Sequence, residues 1–104
     1  MHGTLEIALR LVRDVKRVYV VIGAHAIDRQ QEELARRAFK KWEERLEFRY
    51  LSHLPLEETL TTLASAPRDA VVLFLTYVAD VRGTTYTSPD VAKRLSQVST
   101  VPIF

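Results

Sequence analysis

Two histidines are the residues best suited to chemistry in this chain. His25 and His53 each follow a short apolar segment, and no carboxylate stands at a spacing that would complete a metal site or a catalytic triad. Imidazole changes its charge near physiological pH, so it can act as an acid, a base or a metal ligand. Two histidines alone are weak evidence for catalysis. We interpret them as polar loop residues that contact a ligand, and keep metal binding or catalysis as the alternative.

Polar and aromatic residues also follow the longest apolar segment. Residues 70–75 are all apolar, and residues 77–87 then include Tyr77, Asp80, Gly83 and Tyr86. Connections between a strand and a helix usually have about two to six residues, so this one is long. Long polar loops at strand ends often bind ligands, through aromatic stacking and carboxylate hydrogen bonds. The alternative, in which Tyr86 packs the loop down and Asp80 caps a turn, fits the sequence equally well.

Composition excludes several classes of protein. The chain has 104 residues, of which 47% are hydrophobic and 27% charged, as in an ordinary globular domain. It has no cysteine, which excludes disulfides, thiolate metal sites and cysteine nucleophiles. A net charge of +2 is too small to indicate a nucleic-acid surface. No apolar run approaches the roughly 18 residues that a membrane span requires.

Apolar patterns predict a three-layer α/β/α domain. Residues 18–22 and 70–75 are unbroken apolar runs, typical of parallel strands buried on both faces. Residues 46–51 alternate as in an edge strand, and residues 101–104 begin a fourth strand. Helices are predicted at about residues 5–14, 28–45, 56–64 and 88–98, with Thr4 and Asp28 as the first two N-caps. Right-handed crossovers then give a doubly wound, flavodoxin-like parallel sheet of about four strands in the order 2-1-3-4.

This strand order places a crevice where the chain reverses between the first and third strands. Ligands of open α/β sheets bind at such points, outside the carboxyl ends of the strands. Residues 24–28 and 77–87 would line the crevice, with residues 52–54 to one side. Familiar phosphate chemistry is not indicated, because Gly23-Ala24-His25 and Thr76 stand where receiver domains need acids. Gly23 is also alone where a dinucleotide fingerprint needs three glycines.

The pattern resembles one lobe of the type I periplasmic binding proteins, in particular the ABC-transporter substrate-binding-like family. The resemblance is carried by residues 15–23, the helix start at Asp28, and residues 48–56, 69–75 and 101–104. Leu54-Pro55-Leu56 and the Tyr77…Asp80…Gly83…Tyr86…Pro89 pattern resemble the extracytoplasmic sensor regions of bacterial sensor histidine kinases that use this fold. The resemblance covers nearly the whole chain but about half of the two-lobed unit, so we expect residues 1–104 to form one incomplete lobe.

The resemblance implies a non-enzymatic domain that senses a small-molecule ligand, without cofactor or metal. It would form the periplasmic part of a membrane-anchored two-component receptor, partnered by the second lobe and the membrane and kinase regions, and not by nucleic acid. Residues 101–104 would form an apolar edge able to pair with a second copy. The alternative is a small α/β enzyme or phosphotransfer domain that uses His25 or His53. Carried over by position, the implied ligand-binding residues are Gly23, Ala24, His25, Asp28, Ser52, His53, Thr76, Tyr77 and Asp80, and the loop adds Tyr86.

Overall fold

Four helices and three strands alternate along the described part of the chain. The computed structural model describes residues 2–104. The helices are α1 (His2–Leu11), α2 (Ala26–Phe39), α3 (Leu56–Ala64) and α4 (Ser88–Val98), and the strands are β1 (Arg17–Val21), β2 (Glu47–Tyr50) and β3 (Ala70–Phe74). A short 3-10 turn, Lys40–Trp42, follows α2. No helix within these residues is long and apolar enough to cross a membrane.

The strands form a parallel sheet in the order β2-β1-β3. The predicted fourth strand is reduced to a single parallel bridge between Val72 and Ile103. Beside this bridge, the Val72 amide donates to the Pro102 carbonyl (2.9 Å) and the Phe104 amide donates to the Val72 carbonyl (2.8 Å). Proline has no amide hydrogen to donate, which limits the ladder that so short a segment can form. The sheet therefore has three strands rather than the four predicted.

Helices cover both faces of the sheet, as predicted. Val18 and Val20 point to the face covered by α1 and α2, whereas Tyr19 and Val21 point to the face covered by α3 and α4. All four are buried. Alternate residues of a strand point to opposite faces, so a strand that is covered on both sides is apolar at every position. This explains the unbroken apolar runs in β1 and β3, and the alternation in the edge strand β2.

The ends of the first two helices differ from the prediction. Helix α1 begins at His2, so Thr4 lies inside it and does not cap it. Helix α2 is capped by His25, whereas Asp28, the predicted cap, is its third residue. The helix ends at Phe39 rather than near residue 45. Leu34 is 49% exposed, because the buried apolar stripe of this helix is narrow and consists of Ala35 and Phe39.

Candidate functional site

A buried carboxylate organises the carboxyl-terminal edge of the sheet. Asp28 is completely buried, and its carboxylate accepts hydrogen bonds from the Thr76 hydroxyl (2.7 Å), the Val78 amide (3.0 Å) and the His25 amide (3.2 Å). The Ala79 amide lies 3.5 Å from the same group. An ionised carboxylate accepts such bonds strongly. Asp28 thus joins the start of α2 to the segment that follows β3.

Gly23 allows these two segments to approach closely. Its amide donates to the Thr76 carbonyl (3.0 Å), and the next amide, of Ala24, donates to the Ala79 carbonyl (2.7 Å). A Cβ atom on Gly23 would overlap the Asp28 carboxylate and would lie 2.7 Å from the Ala79 carbonyl oxygen. Only glycine fits between the carboxylate and this backbone. Gly23, Asp28 and Thr76 are therefore brought together, the first two buried and Thr76 half-buried. Their contacts close the point between β1 and β3 where the crevice was predicted.

The loop that follows β3 contains a short hairpin, which a second carboxylate, that of Asp80, holds in place. Asp80 is 4% exposed and accepts hydrogen bonds from the amides of Arg82 (3.0 Å) and Thr84 (3.1 Å) within the hairpin. Its other oxygen accepts from the Leu56 amide (3.3 Å) at the start of α3. An antiparallel bridge between Ala79 and Thr85 closes the base of the hairpin. Asp80 therefore fixes the hairpin to α3, in agreement with the turn-capping alternative.

A crevice of about 330 Å³ lies at the carboxyl ends of β1 and β2. Its lining consists of Ala24, Arg29, Glu32, Ser52, His53 and Val81. The Ser52 hydroxyl donates to the Glu32 carboxylate (2.5 Å), and Arg36 donates to the other oxygen of the same group (2.9 Å). The Arg29 Nε donates to the Ala24 carbonyl (3.1 Å), which holds its guanidinium at the rim. The crevice thus offers an imidazole, a guanidinium, a hydroxyl and an apolar side chain to a ligand.

The two histidines have different positions. His25 is exposed, and its Nδ1 accepts a hydrogen bond from the Ile27 amide (3.1 Å), so this nitrogen serves as the N-cap of α2. His53 is also exposed and lines the crevice. No group of three or more histidine, aspartate or glutamate side chains within residues 2–104 is placed to hold a metal ion.

The chain matches no known protein-family model, and no curated protein or solved structure is significantly similar to it. The resemblance to periplasmic binding proteins therefore stays a prediction that rests on the residues that carry it.

The predicted site residues fall into three groups. Ala24, Ser52 and His53 line the crevice. Tyr77, Asp80 and Tyr86 belong to the hairpin and its base, and Gly23, Asp28 and Thr76 form the hydrogen-bonded layer beneath. His25 is exposed, and its amide donates to the Asp28 carboxylate of this layer. Sequence reasoning missed Arg29, Glu32 and Val81. The first two stand three residues apart at the start of α2, a spacing that places them on one helix face.

Tyr77 points away from the crevice, into the core beneath α3 and α4. It is 1% exposed, and its ring meets the Tyr86 ring edge to face at 5.8 Å between centroids. Its hydroxyl has no hydrogen-bond partner among residues 2–104. Burial raises the pKa of this hydroxyl well above its usual value of 10.0, and the nearby Asp80 carboxylate raises it further. The neutral phenol is therefore the form that the fold favours.

Replacing Tyr77 with phenylalanine should raise the free energy of unfolding by about 1 kcal/mol, because it removes a buried hydroxyl that makes no hydrogen bond. The raised pKa of Tyr77 means that the wild type loses stability as the pH rises above 10, where the unfolded chain releases this proton and the folded chain retains it. The Tyr77→Phe variant should lose less stability over the same rise in pH. Urea denaturation at pH 7 and pH 10.5 measures the gain in stability and its pH dependence. Tyr86→Phe, at a half-buried ring, should change stability by less than about 0.5 kcal/mol. A Tyr77→Phe variant less stable than the wild type would contradict this account.

Proposed function

We propose that this chain is the ligand-sensing domain of a bacterial signal-transduction receptor, and that it binds a small molecule in the crevice at the carboxyl ends of β1 and β2. The observation that carries the proposal is the convergence of three separate segments on this crevice. Helix α2 and the turn before it, the turn after β2, and the hairpin tip contribute Arg29, His53 and Val81, respectively. Strand ends of doubly wound sheets are where such domains bind ligands.

Binding without turnover is favoured by the state of the buried acids. The carboxylates of Asp28 and Asp80 accept several hydrogen bonds each from their own chain, so they are occupied in holding the fold. A general acid or base must reach the reacting atom of a substrate within hydrogen-bond distance. In the crevice, Glu32 is held by Ser52 and Arg36. The groups that remain open to a ligand are suited to recognition.

The hairpin gives ligand occupancy a route to the rest of the domain. Val81 at its tip is 50% exposed and lines the crevice, and Asp80 beside it holds the first amide of α3. A ligand that bridges Val81 and His53 would favour one position of the hairpin, and hence of the start of α3. Ligands shift such equilibria by their difference in affinity for the two positions. In a receptor, this shift in the position of α3 would be the signal. The proposal includes the periplasmic location that the resemblance implies.

A nuclear magnetic resonance titration tests the proposed site. The labelled chain is titrated with separate sets of L-amino acids, monosaccharides and short carboxylic acids. At least one compound should shift the amide signals of Ala24, Ser52, His53 and Val81 in a saturable way. Val81→Trp, which fills the crevice, should weaken this compound's binding by about tenfold or more.

Gln97→Trp is the matched control, because it adds the same ring in a separate groove of about 620 Å³ between the hairpin and α4. It should leave binding unchanged. Amide-signal shifts confined to the residues of that groove would contradict the proposed site. An unchanged affinity of the Val81→Trp variant for the compound would also contradict it. Release of a product from the bound compound, abolished by His53→Gln, would favour the enzymatic alternative instead.

A further inference from the structure

One edge of the sheet is open. The amides of Glu47 and Leu51, at the two ends of β2, donate to the carbonyls of Lys16 and Val20 on the β1 side (2.9 and 3.0 Å). Backbone groups of alternate residues in a strand point to opposite sides, so those of Phe48 and Tyr50 point away from β1. No hydrogen bond within residues 2–104 joins these outward amides to another segment. An open row of donors and acceptors is a template for a further strand.

A groove of about 550 Å³ lies along this open edge. Phe48, Arg49 and Tyr50 form its floor, with Arg36 of α2 on one side and Thr62 of α3 on the other. The rings of Phe48 and Tyr50 are only half-buried and stack on each other, 6.3 Å apart between centroids. The two helices border this groove, and among residues 2–104 no backbone hydrogen bond occupies the outward amides between them.

We propose that β2 pairs antiparallel with β2 of a second copy of this chain, around a two-fold axis that passes through Phe48. Two-fold symmetry requires the two identical strands to run in opposite directions. With the axis at Phe48, this residue lies opposite Phe48 of the partner subunit as a hydrogen-bonded pair. Glu47 lies opposite Arg49 of the partner subunit, in the pair type whose Cα atoms are about 4.5 Å apart. The same contact repeats on the other side of the axis.

Charge selects this register over its neighbours. An axis at Arg49 would bring two guanidinium groups face to face, and an axis at Tyr50 would place Arg49 opposite the apolar Leu51 of the partner subunit. Among these three axes, the one at Phe48 alone places an acid opposite a base, twice, and opposite charges across strands stabilise a pair whereas like charges destabilise it. Within one chain, Glu47 accepts from Arg17 through one oxygen (3.1 Å) and meets Arg49 through the other (2.6 Å). The partner subunit's Arg49 would meet this second oxygen.

The pairing would join two three-stranded sheets into a continuous sheet of six strands. It would cover the half-buried rings of Phe48 and Tyr50 and remove the open edge of each copy. Because the strands run antiparallel across the axis, the two crevices would lie at opposite ends of the joined sheet. The dimer uses a different edge from the one predicted at residues 101–104, and His53 lines both the groove at this edge and the crevice.

Sedimentation of the full chain between roughly 1 µM and 1 mM tests the dimer by mass action. The wild type should change from monomer to dimer within this range. Arg49→Glu brings like charges opposite each other twice and should raise the dissociation constant about tenfold or more. The double swap Glu47→Arg/Arg49→Glu restores opposite charges and should restore dimerisation. Arg94→Glu, on the exposed side of α4, is the charge-matched control and should leave the dissociation constant unchanged.

Amide exchange in the wild type provides a second measurement that needs no variant. The Phe48 amide should exchange slowly when the dimer is populated and rapidly on dilution, whereas the buried ladder amides of β1 should stay protected throughout. A chain that is monomeric up to 1 mM would overturn the proposal. So would a dimer whose dissociation constant does not respond to Arg49→Glu, or whose Phe48 amide exchanges at the monomer rate, since β2 would then lie outside the interface.

Discussion

Replacing Asp28 with alanine should lower the free energy of unfolding by about 3–5 kcal/mol. The substitution removes a buried carboxylate that accepts from the Thr76 hydroxyl and from the Val78 and His25 amides. These donors lie at the junction of α2 and β3, and a buried donor that loses its acceptor keeps the cost of its own desolvation. Small domains have about 5–15 kcal/mol of stability in total, so a large share would be lost. Urea denaturation, followed by circular dichroism, measures the change.

Asp90→Ala is the matched control for Asp28→Ala. Asp90 is also the third residue of its helix, α4, but it is exposed. An acid in the first turn of an exposed helix stabilises it by about 0.3–1 kcal/mol. The two substitutions thus differ in burial and not in helix position. A similar loss for both would show that the helix position of Asp28, and not its hydrogen bonds, sets its contribution.

The two inner strands of the sheet could be predicted because burial of a strand restricts the residue types at consecutive positions. Strands covered on both faces must be apolar at every position, so β1 and β3 stand out in a single reading of the chain. The helix caps were harder to predict from the sequence. The pair His25 and Asp28 forms a reciprocal cap, in which each accepts a hydrogen bond near the start of α2. It has the spacing of a capping box, but aspartate is itself a favoured N-cap, so the sequence alone favoured the wrong residue.

The observed crevice lies on the other side of β1 from the predicted one. Topology predicts a crevice between β1 and β3, but hydrogen bonds among Gly23, Asp28 and Thr76 close that point. The crevice lies instead at the carboxyl ends of β1 and β2, where Ser52 and His53 line it. The role of Asp80 depends on the Leu56 amide, 24 residues away in the chain. A pattern of residue types cannot show which distant amide a carboxylate will meet. The same holds for Asp28, whose acceptor role depends on Thr76 and Val78.

Gly23→Ala should cost about 3 kcal/mol, although it adds only one methyl group. The new Cβ would overlap the Asp28 carboxylate and would lie 2.7 Å from the Ala79 carbonyl oxygen. Overpacking of this kind usually costs about 1–3 kcal/mol, and the upper end applies where the neighbours are held in place. Here the carboxylate is held by its donors and the carbonyl by the Ala24 amide. Gly3→Ala is the control, since a Cβ there meets nothing within 4 Å. It should not lower the free energy of unfolding, and, because Gly3 lies in α1, alanine there should raise it by up to about 1 kcal/mol.

A double-mutant cycle separates the clash with the carboxylate from the clash with the backbone. In the Asp28→Ala background, the overlapping oxygen is absent and only the Ala79 carbonyl stays close to the new methyl group. Gly23→Ala should then cost less than in the wild type, by about 1 kcal/mol or more, as residues in contact usually couple by about 0.5–3 kcal/mol. Urea denaturation of the four proteins gives this coupling. Additive losses would mean that Gly23 is required by the backbone alone, and that the carboxylate of Asp28 can move aside.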